Sequence, residues 1–316
     1  MERFVGIDVS QDELVLVITP GDAVTRWTND DPGRAALVAA LRPLAPERIV
    51  LEGTGGVERP IVAALADAGL PTVVANPAQV RAFARGIGRH AKTDPIDAAV
   101  LAQFAAQVQP PVRPLADAAT RDLRALVVRR RQVRDLRARE RQRRTRTESI
   151  AQASIDRMLA VLTTELHDLE AAIATQLTLD PTWRVKQAIL ESVPGIGHVV
   201  AATVIAELPE LGVIDAKAIA ALVGVAPRTQ ESGHRRGPAT IGGGRSSVRA
   251  ALYLATVTAT QYNPIIRAFY QRLLAAHKPK KVALIAAERK LLGILTALLR
   301  DGTLWQDLTA LHAPSP

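Results

Sequence analysis

The sequence predicts an α/β domain followed by a mostly α-helical one, and three observations predict it. The first 110 residues alternate short β-branched runs with helical segments. A long arginine-rich helical stretch follows a proline-marked break, QPPVRPL, at 109–115. The rest is helical in pattern around one glycine-rich loop. With 316 residues the chain is long enough for two domains, each with its own core.

RFVGIDV (3–9), ELVLVIT (13–19) and AVTRWT (23–28) read as three successive strands with tight connections. Pro32 and Gly33 break the chain, and RAALVAALRPL (34–44) reads as helix. RIVLE (48–52) is a fourth strand, followed by GTGG and a helix near 57–68. PTVVANP (71–77) is a fifth strand, with helices near 78–86 and 95–108 after it. Three strands, a helix, then strand–helix–strand–helix is the order of a ribonuclease-H-like fold. Residues 116–178 read as long helix. Its second half carries an apolar seam at Ile155, Leu159, Leu162, Leu166, Leu169, Ile173 and Leu177. Spacings of four and three suit a coiled coil or a helical hairpin. LDPTW (179–183) ends it. The expected division is 1–112, 113–180 and 181–316.

Composition excludes several classes. Aromatic residues are 3 % of the chain, too few for base-stacking platforms. Cysteine is absent, which removes disulfides, thiolate zinc sites and cysteine nucleophiles together. The N-terminal MERFVGIDVSQDELVLVI lacks the basic-then-apolar order of a signal peptide, and no apolar run approaches the roughly 20 residues of a membrane span. The expectation is a cytoplasmic protein with no membrane partner. The formal net charge is +9, and its placement is informative. Between Arg121 and Glu148 lie twelve arginines and four acids, an excess of eight. A basic concentration of this kind is the footprint of a polyanion, most often nucleic acid. Arg129, Arg130, Arg131, Arg134, Arg137, Arg141, Arg143 and Arg144 are the expected contacts. The alternative is a solvated helix face, though such faces usually mix both signs.

Four acids stand at the ends of predicted elements. Asp8 ends the first strand in GIDVS, and Glu52 ends the fourth in VLEGTGG. Asp94 and Asp97 open a helix in KTDPIDA, and residues three apart share a helical face. A bland reading is available: Asp94 as N-cap, Pro95 as first-turn proline, Asp97 answering the helix dipole. If the first and fourth strands are neighbours, all four carboxylates meet. They would then repel one another, and a divalent metal, Mg2+ or Mn2+, supplies the compensation. Two such ions stabilise the attacking and leaving oxygens at phosphorus. Asp12 and Glu58 are nearby decoys, in a hairpin turn and inside the next helix.

GIDVS, LEGTGG and KTDPIDA together resemble the N-terminal domain of the DEDD-type transposases of bacterial insertion sequences, family one-hundred-ten, which includes the Piv invertases. The resemblance implies a RuvC-like domain whose metal-binding acids are Asp8, Glu52, Asp94 and Asp97.

SVPGIGHVVAATVIAEL (192–208) has the pattern of a helix–hairpin–helix, in which Gly195 and Gly197 would let helix amides approach a phosphate; the alternative is a tight helix connection. The stretch 221–255 combines Arg228, His234, Arg235, Arg236, Arg245 and Arg249 with several glycines, suited to phosphate oxygens. Its pattern PR…SG…G…GGR…VR..LY resembles the C-terminal domain of the same family. The family's serine–glycine pair falls on Ser232-Gly233, which implies Ser232 as a nucleophile on DNA phosphorus. By composition alone Ser-Gly in a loop is a turn. Ser246, Ser247, Tyr253 and Tyr262 are rival hydroxyls.

These observations predict a DNA recombinase that moves an insertion sequence through a phosphoserine intermediate, with donor and target DNA as partners. The resemblance also implies a structured guide RNA. Joining two DNA sites calls for a homo-oligomer, a dimer or tetramer, and the 155–177 seam is a candidate for self-association. Two rivals remain at this stage: a metal nuclease resembling a junction resolvase, with water as nucleophile, and a non-catalytic nucleic-acid scaffold.

Overall fold

A computed structural model describes residues 2–21, 23–53, 55–91, 93–112, 117–228, 231–232, 235–236 and 239–306. The chain forms two compact units, Met1–Leu115 and Ala116–Pro316.

The first unit is built on a five-stranded sheet. Its strands are β1 (Phe4–Val9), β2 (Glu13–Thr19), β3 (Val24–Thr28), β4 (Arg48–Glu52) and β5 (Thr72–Ala75). Their order across the sheet is β3-β2-β1-β4-β5. β1 to β3 form an antiparallel meander, and β4 and β5 add in parallel to β1. That is the ribonuclease-H-like arrangement expected. β1 is central and almost wholly buried, as its near-continuous apolar run requires. β3 is an edge strand whose Thr25, Arg26 and Thr28 are exposed, while Trp27 packs against the core. β5 is shorter than expected: Pro77 has no amide to pair, and Asn76 turns to capping by accepting from the Ala78 amide at 2.8 Å.

Period-two alternation divides this sheet between two helical layers. Val5, Ile7, Val9, Leu14, Leu16, Ile49 and Leu51 face α1 (Asp31–Leu41) and α2 (Arg59–Asp67). Phe4, Val15, Val17 and Val50 face α3 (Pro77–Gly86) and α4 (Asp94–Val108). Asp8 and Glu52 share the parity of Phe4 and Val50, so they belong to the α4 face. Gly6 shares it too. A Cβ on Gly6 would collide with the Ala98 carbonyl oxygen and the Ala102 amide nitrogen of α4. The missing side chain lets an alanine-rich helix lie directly on the central strand.

The second unit is helical. The expected long helix is broken in two, α5 (Ala118–Arg144) and α6 (Ser149–Leu179). Thr145 and Thr147 at the break turn their hydroxyls back onto the Gln142 and Arg143 carbonyls, each at 2.8 Å. Such local bonds compete with helix continuation. The result is a helical hairpin, and the apolar seam of α6 is covered by α5 of the same chain: Leu166 and Leu169 pack on Val133, while Ile173 and Leu177 pack with Leu123 and Val127. α7 (Pro181–Glu191), α8 (His198–Glu207), α9 (Ala216–Val223), α10 (Ser246–Tyr262), α11 (Pro264–Ala275) and α12 (Lys280–Asp301) share one core with the base of this hairpin. Asp180, Asp215 and Asn263 cap α7, α9 and α11 through their side chains. Among the described residues no helix is long and apolar enough to cross a membrane.

Gly6→Ala should destabilise the first unit by about 1–3 kcal/mol, because backbone and not a flexible side chain blocks the new Cβ. Gly86→Ala, at a helix end with open space around it, should fall within about 0.5 kcal/mol of wild type. Urea denaturation of both variants is the check. Equal midpoints would mean that α4 is free to move off the strand.

Candidate active site

The carboxylates come from three elements. Asp8 stands on β1 opposite Val15 of β2. Glu52 ends β4, paired with Ala75 of β5. β1 and β4 are neighbours in parallel register, Ile7 against Leu51, so the two acids leave the sheet at the same edge. Asp94 is the first residue of α4, and Asp97 lies in the same first turn. The capping reading of Asp94 does not hold. Thr93 is the N-cap residue and makes no side-chain cap bond, so Asp94 lies one position too far into the helix to cap it.

The charges of the other three acids reach Asp8. The Asp8 carboxyl is pushed up to about 6 from 3.8, first by burial and then by the charges of Asp97, Asp94 and Glu52. The Val9 amide opposes this by donating a hydrogen bond. Carboxylate oxygens are the donor set that hard divalent cations take. Among the described residues no three Asp, Glu or His side chains are already drawn into a metal-holding group. Glu58 is no competitor for such a group. It sits just before α2 and accepts from the Gly56 amide at 2.8 Å.

The glycine-rich stretch of the second unit is a β-ribbon with a fixed root. β6 (Glu231–Ser232) pairs antiparallel with β7 (Arg235–Arg236), setting Ser232 opposite Arg235. Gly233 and His234 lie outside the described residues, as do the side chains of Ser232, Arg235 and Arg236. Further back, Arg228 and Thr240 exchange backbone hydrogen bonds of 2.8 and 3.1 Å. At the root, Arg249 of α10 donates through Nη1 to the carbonyls of Val223, Gly224 and Gly243, the last at 2.7 Å. Gly224, at φ +86°, packs so closely on Gly243 that no side chain would fit.

Several residues expected to meet nucleic acid have structural partners. Arg245 forks onto the Glu210 carboxylate at 2.5 and 2.6 Å and donates to the Glu207 carbonyl. Glu207 is buried and accepts from Arg131 at 2.6 Å and from the Ser247 hydroxyl. Nothing in the local sequence around Glu207 or Glu210 announces a partner 35 or more residues away. Arg130 pairs with Glu170, Arg134 with Asp135, Arg143 with Glu140 and Arg144 with Asp156. Arg129 meets only Gln132, at 3.5 Å. Among the described residues Arg137 and Arg141 have no ion pair and no hydrogen bond. Gly195 turns at φ +105°, and a Cβ there would collide with Ala259 of α10, which matches a tight helix connection there. Gly197, at the N-cap of α8, has open space around it. Of the rival hydroxyls, Ser247 is bound to Glu207, Tyr253 is half-buried in α10, and Tyr262 and Ser246 are exposed.

A ribonuclease-H-like sheet with converging acids, followed by a helical unit with an arginine-rich hairpin, defines a DNA recombinase of the transposase class. Comparison with known proteins gives the family. Residues 5–148 match the model of the DEDD domain of IS110-type elements, described as "Transposase". Residues 187–271 match the model described as "Transposase IS116/IS110/IS902 family". The two follow one another in order along the chain, which belongs to this transposase family. The pilin gene-inverting protein of Moraxella lacunata is 28 % identical over 242 residues, 72 % of each chain. That of Moraxella bovis is similar to the same extent. The "Insertion element IS110 uncharacterized 43.6 kDa protein" of Streptomyces coelicolor is 29 % identical over 151 residues, 47 % of this chain and 37 % of that one. Among solved structures, T. thermophilus RuvC in complex with a Holliday junction substrate covers 36 % of this chain and all of its own, at 18 % identity and a TM-score of 0.27.

Two expectations follow from the geometry. In carboxyl-resolved NMR, Asp8 should titrate near 6, and Asp97→Asn should bring it down toward 3.8. A raised folded value means that this group's contribution to stability is complete below about 3.8 and is lost as pH rises through about 6. An Asp8 titration that ignores Asp97→Asn would show that the acids do not meet. In the second unit, Glu207→Ala should cost about 3 kcal/mol in urea denaturation, since it strands Arg131 and Ser247 together. Asp135→Ala, which breaks an exposed pair, should cost no more than about 1 kcal/mol.

Proposed function

We propose that this transposase cuts and rejoins DNA strands through a transient phosphoserine bond at Ser232, with a divalent cation, Mg2+ or Mn2+, held by Asp8, Glu52, Asp94 and Asp97. One observation carries the reading: Asp8 is gathered with Asp97, Asp94 and Glu52, whose negative charges add to burial in raising its carboxyl. Structural acids are normally paired or hydrogen-bonded, and repelling carboxylates are a sign of function. A bound divalent cation would neutralise them and stabilise negative charge on phosphoryl and leaving oxygens. Each acid then has a task of its own unit: Asp8 and Glu52 are fixed by the sheet, Asp94 and Asp97 by the first turn of α4.

The serine step balances without any energy source. The Ser232 oxygen forms a bond to phosphorus as the phosphodiester bond to the leaving strand breaks. The hydroxyl proton is lost and the leaving oxygen gains one. Attack by the hydroxyl of a new strand reverses the step, so no ATP is consumed. Arg235 and Arg236 on the same ribbon are assigned to the phosphoryl oxygens, where positive charge counts most in the transition state.

The division of labour is assigned along the chain. Residues 1–112 hold the metal-binding acids, 113–180 the arginine-rich polyanion surface, and 181–316 the serine-bearing strand-transfer machinery. Donor and target DNA are the substrates. A structured guide RNA is assigned to the hairpin, whose Arg137 and Arg141 are available to phosphates. Acting on two DNA sites requires a dimer or tetramer. The seam of α6 packs within the chain from Leu162 to Leu177, so that assembly is assigned to another surface.

The test is a search for a DNA-linked peptide after incubation with a plasmid carrying the element's junction, its flanking noncoding RNA and Mg2+. The expected adduct is on Ser232, and it disappears in Ser232→Ala and in Asp8→Asn. Cation-dependent cleavage with no adduct would replace the serine by water. An adduct on Ser246 or Tyr262 would keep the recombinase and move its nucleophile.

A further inference from the structure

The stretch between Asp67 and Asp94 contains no acid at all, yet it holds Arg81, Arg85, Arg89, His90 and Lys92. A run of 26 residues with one sign of charge is unusual beside a cluster of carboxylates. The fold explains its shape. α3 has an apolar face, Val80 and Ala84, buried against Val100, Leu101, Phe104 and Ala105 of α4. Phe83 locks onto Phe104 edge to face, with ring centroids 5.4 Å apart. The segment that follows, 85–91, is exposed throughout. Lys92 lies outside the described residues.

Among the described residues Arg81, Arg85 and Arg89 make no ion pair and no hydrogen bond. They are not the counter-charges of the acidic site, because none of them pairs with Asp8, Glu52, Asp94 or Asp97. Gly86 and Gly88 have open space where a side chain would stand, so the backbone here can be approached closely. Arg89 precedes Asp94 by five residues, a reach of at most about 18 Å. That length corresponds to about five nucleotides of one strand.

We propose that the α3–α4 segment is a DNA phosphate track in which Arg85 and Arg89, with Arg81 behind them, hold the strand that enters the carboxylate site. The proposal rests on the reading of that site as the place where DNA phosphorus reacts. It assigns a substrate-positioning role to residues outside both the acid set and the arginine-rich hairpin. The track contacts backbone only. It has no aromatic residue besides the buried-face Phe83, and no Asn or Gln between Gln79 and Asp94 to read a base edge.

The test compares two full-length variants with the same change in charge. Arg85→Gln with Arg89→Gln removes the track, and Arg184→Gln with Lys217→Gln removes two exposed cations of the second unit. Binding to a mixed-sequence DNA duplex is measured across a salt series without divalent cation, so that it does not depend on cleavage. The track variant should lose about 2 from the slope of log Kd against log salt, roughly one per arginine, and the control should keep its slope. Where wild type cuts DNA, the track variant should show a raised KM for DNA and an unchanged kcat. Equal slopes in the two variants overturn the proposal. A loss seen with an RNA duplex and not with DNA also overturns it, since the partner would then be the guide. If wild type forms no serine adduct and Asp8→Asn changes nothing, the catalytic reading fails, and the salt slopes still decide whether the track binds DNA.

Discussion

The contact between Gly6 and α4 sets the geometry on which the carboxylate site depends. A helix laid on a sheet normally stands off by the length of the side chains between them. Here the central strand offers no side chain at Gly6, and α4 offers Ala98 and Ala102, so backbone meets backbone. The first turn of α4 is thereby lowered toward the end of β1. Two acids on that turn come within electrostatic reach of Asp8, and Glu52 arrives from the neighbouring strand. Burying Asp8 next to three like charges costs stability. The apolar layers Val5–Ile7–Val9 on one side and Phe4–Val50 on the other supply the rigidity that sustains it. A cluster of this kind is expected where function, not stability, decides the residue.

Charge in the second unit is divided in a way that composition conceals. The excess of eight on 121–148 suggests a uniform basic face. In the structure Arg131 is tied to the buried Glu207, while Arg144 and Arg134 make exposed pairs with Asp156 and Asp135. Exposed pairs contribute little and are easily exchanged for a phosphate. The pair with Glu207 is different, because opening it would leave a carboxylate buried and uncompensated. Partners therefore grade the arginines of α5. Arg131 holds the unit together through Glu207, and Arg137 and Arg141 have no ion pair or hydrogen bond among the described residues.

The parts of this architecture visible in the sequence are the ones encoded locally. Strand order and helix positions in the first unit follow from period-two and period-3.6 patterns and from Pro and Gly punctuation. Asp8, Glu52, Asp94 and Asp97 were legible because each stands at the end of an element. What was not legible is long-range. The bland reading made Asp94 a cap, and backbone geometry gave that place to Thr93. The break at 145–148 depends on threonine hydroxyls bonding backward, which helical periodicity does not register. Glu288 of α12 gives no local signal of its surroundings. It is buried with both oxygens unpartnered among the described residues, and burial pushes its carboxyl up to about 7 against the pull of Arg249.

The ribbon that carries Ser232 obtains its placement differently from the sheet that carries Asp8. A two-stranded ribbon is marginal by itself. β6 and β7 contribute only two paired positions, with the Arg228–Thr240 bridge behind them. Precision at the serine must therefore come from the root. There the Arg249 Nη1 binds three carbonyls, from Val223, Gly224 and Gly243, so the two ends of the ribbon are fastened to one atom of α10. Gly243 and Gly244 turn through φ +67° and +64°, a region that a residue with a side chain enters only under strain. Arg249 and the glycines beside it had the signature of a phosphate cradle. Their geometry is that of a hinge pin: the Arg249 donor that sequence pattern offered to DNA is spent on holding the root of the ribbon.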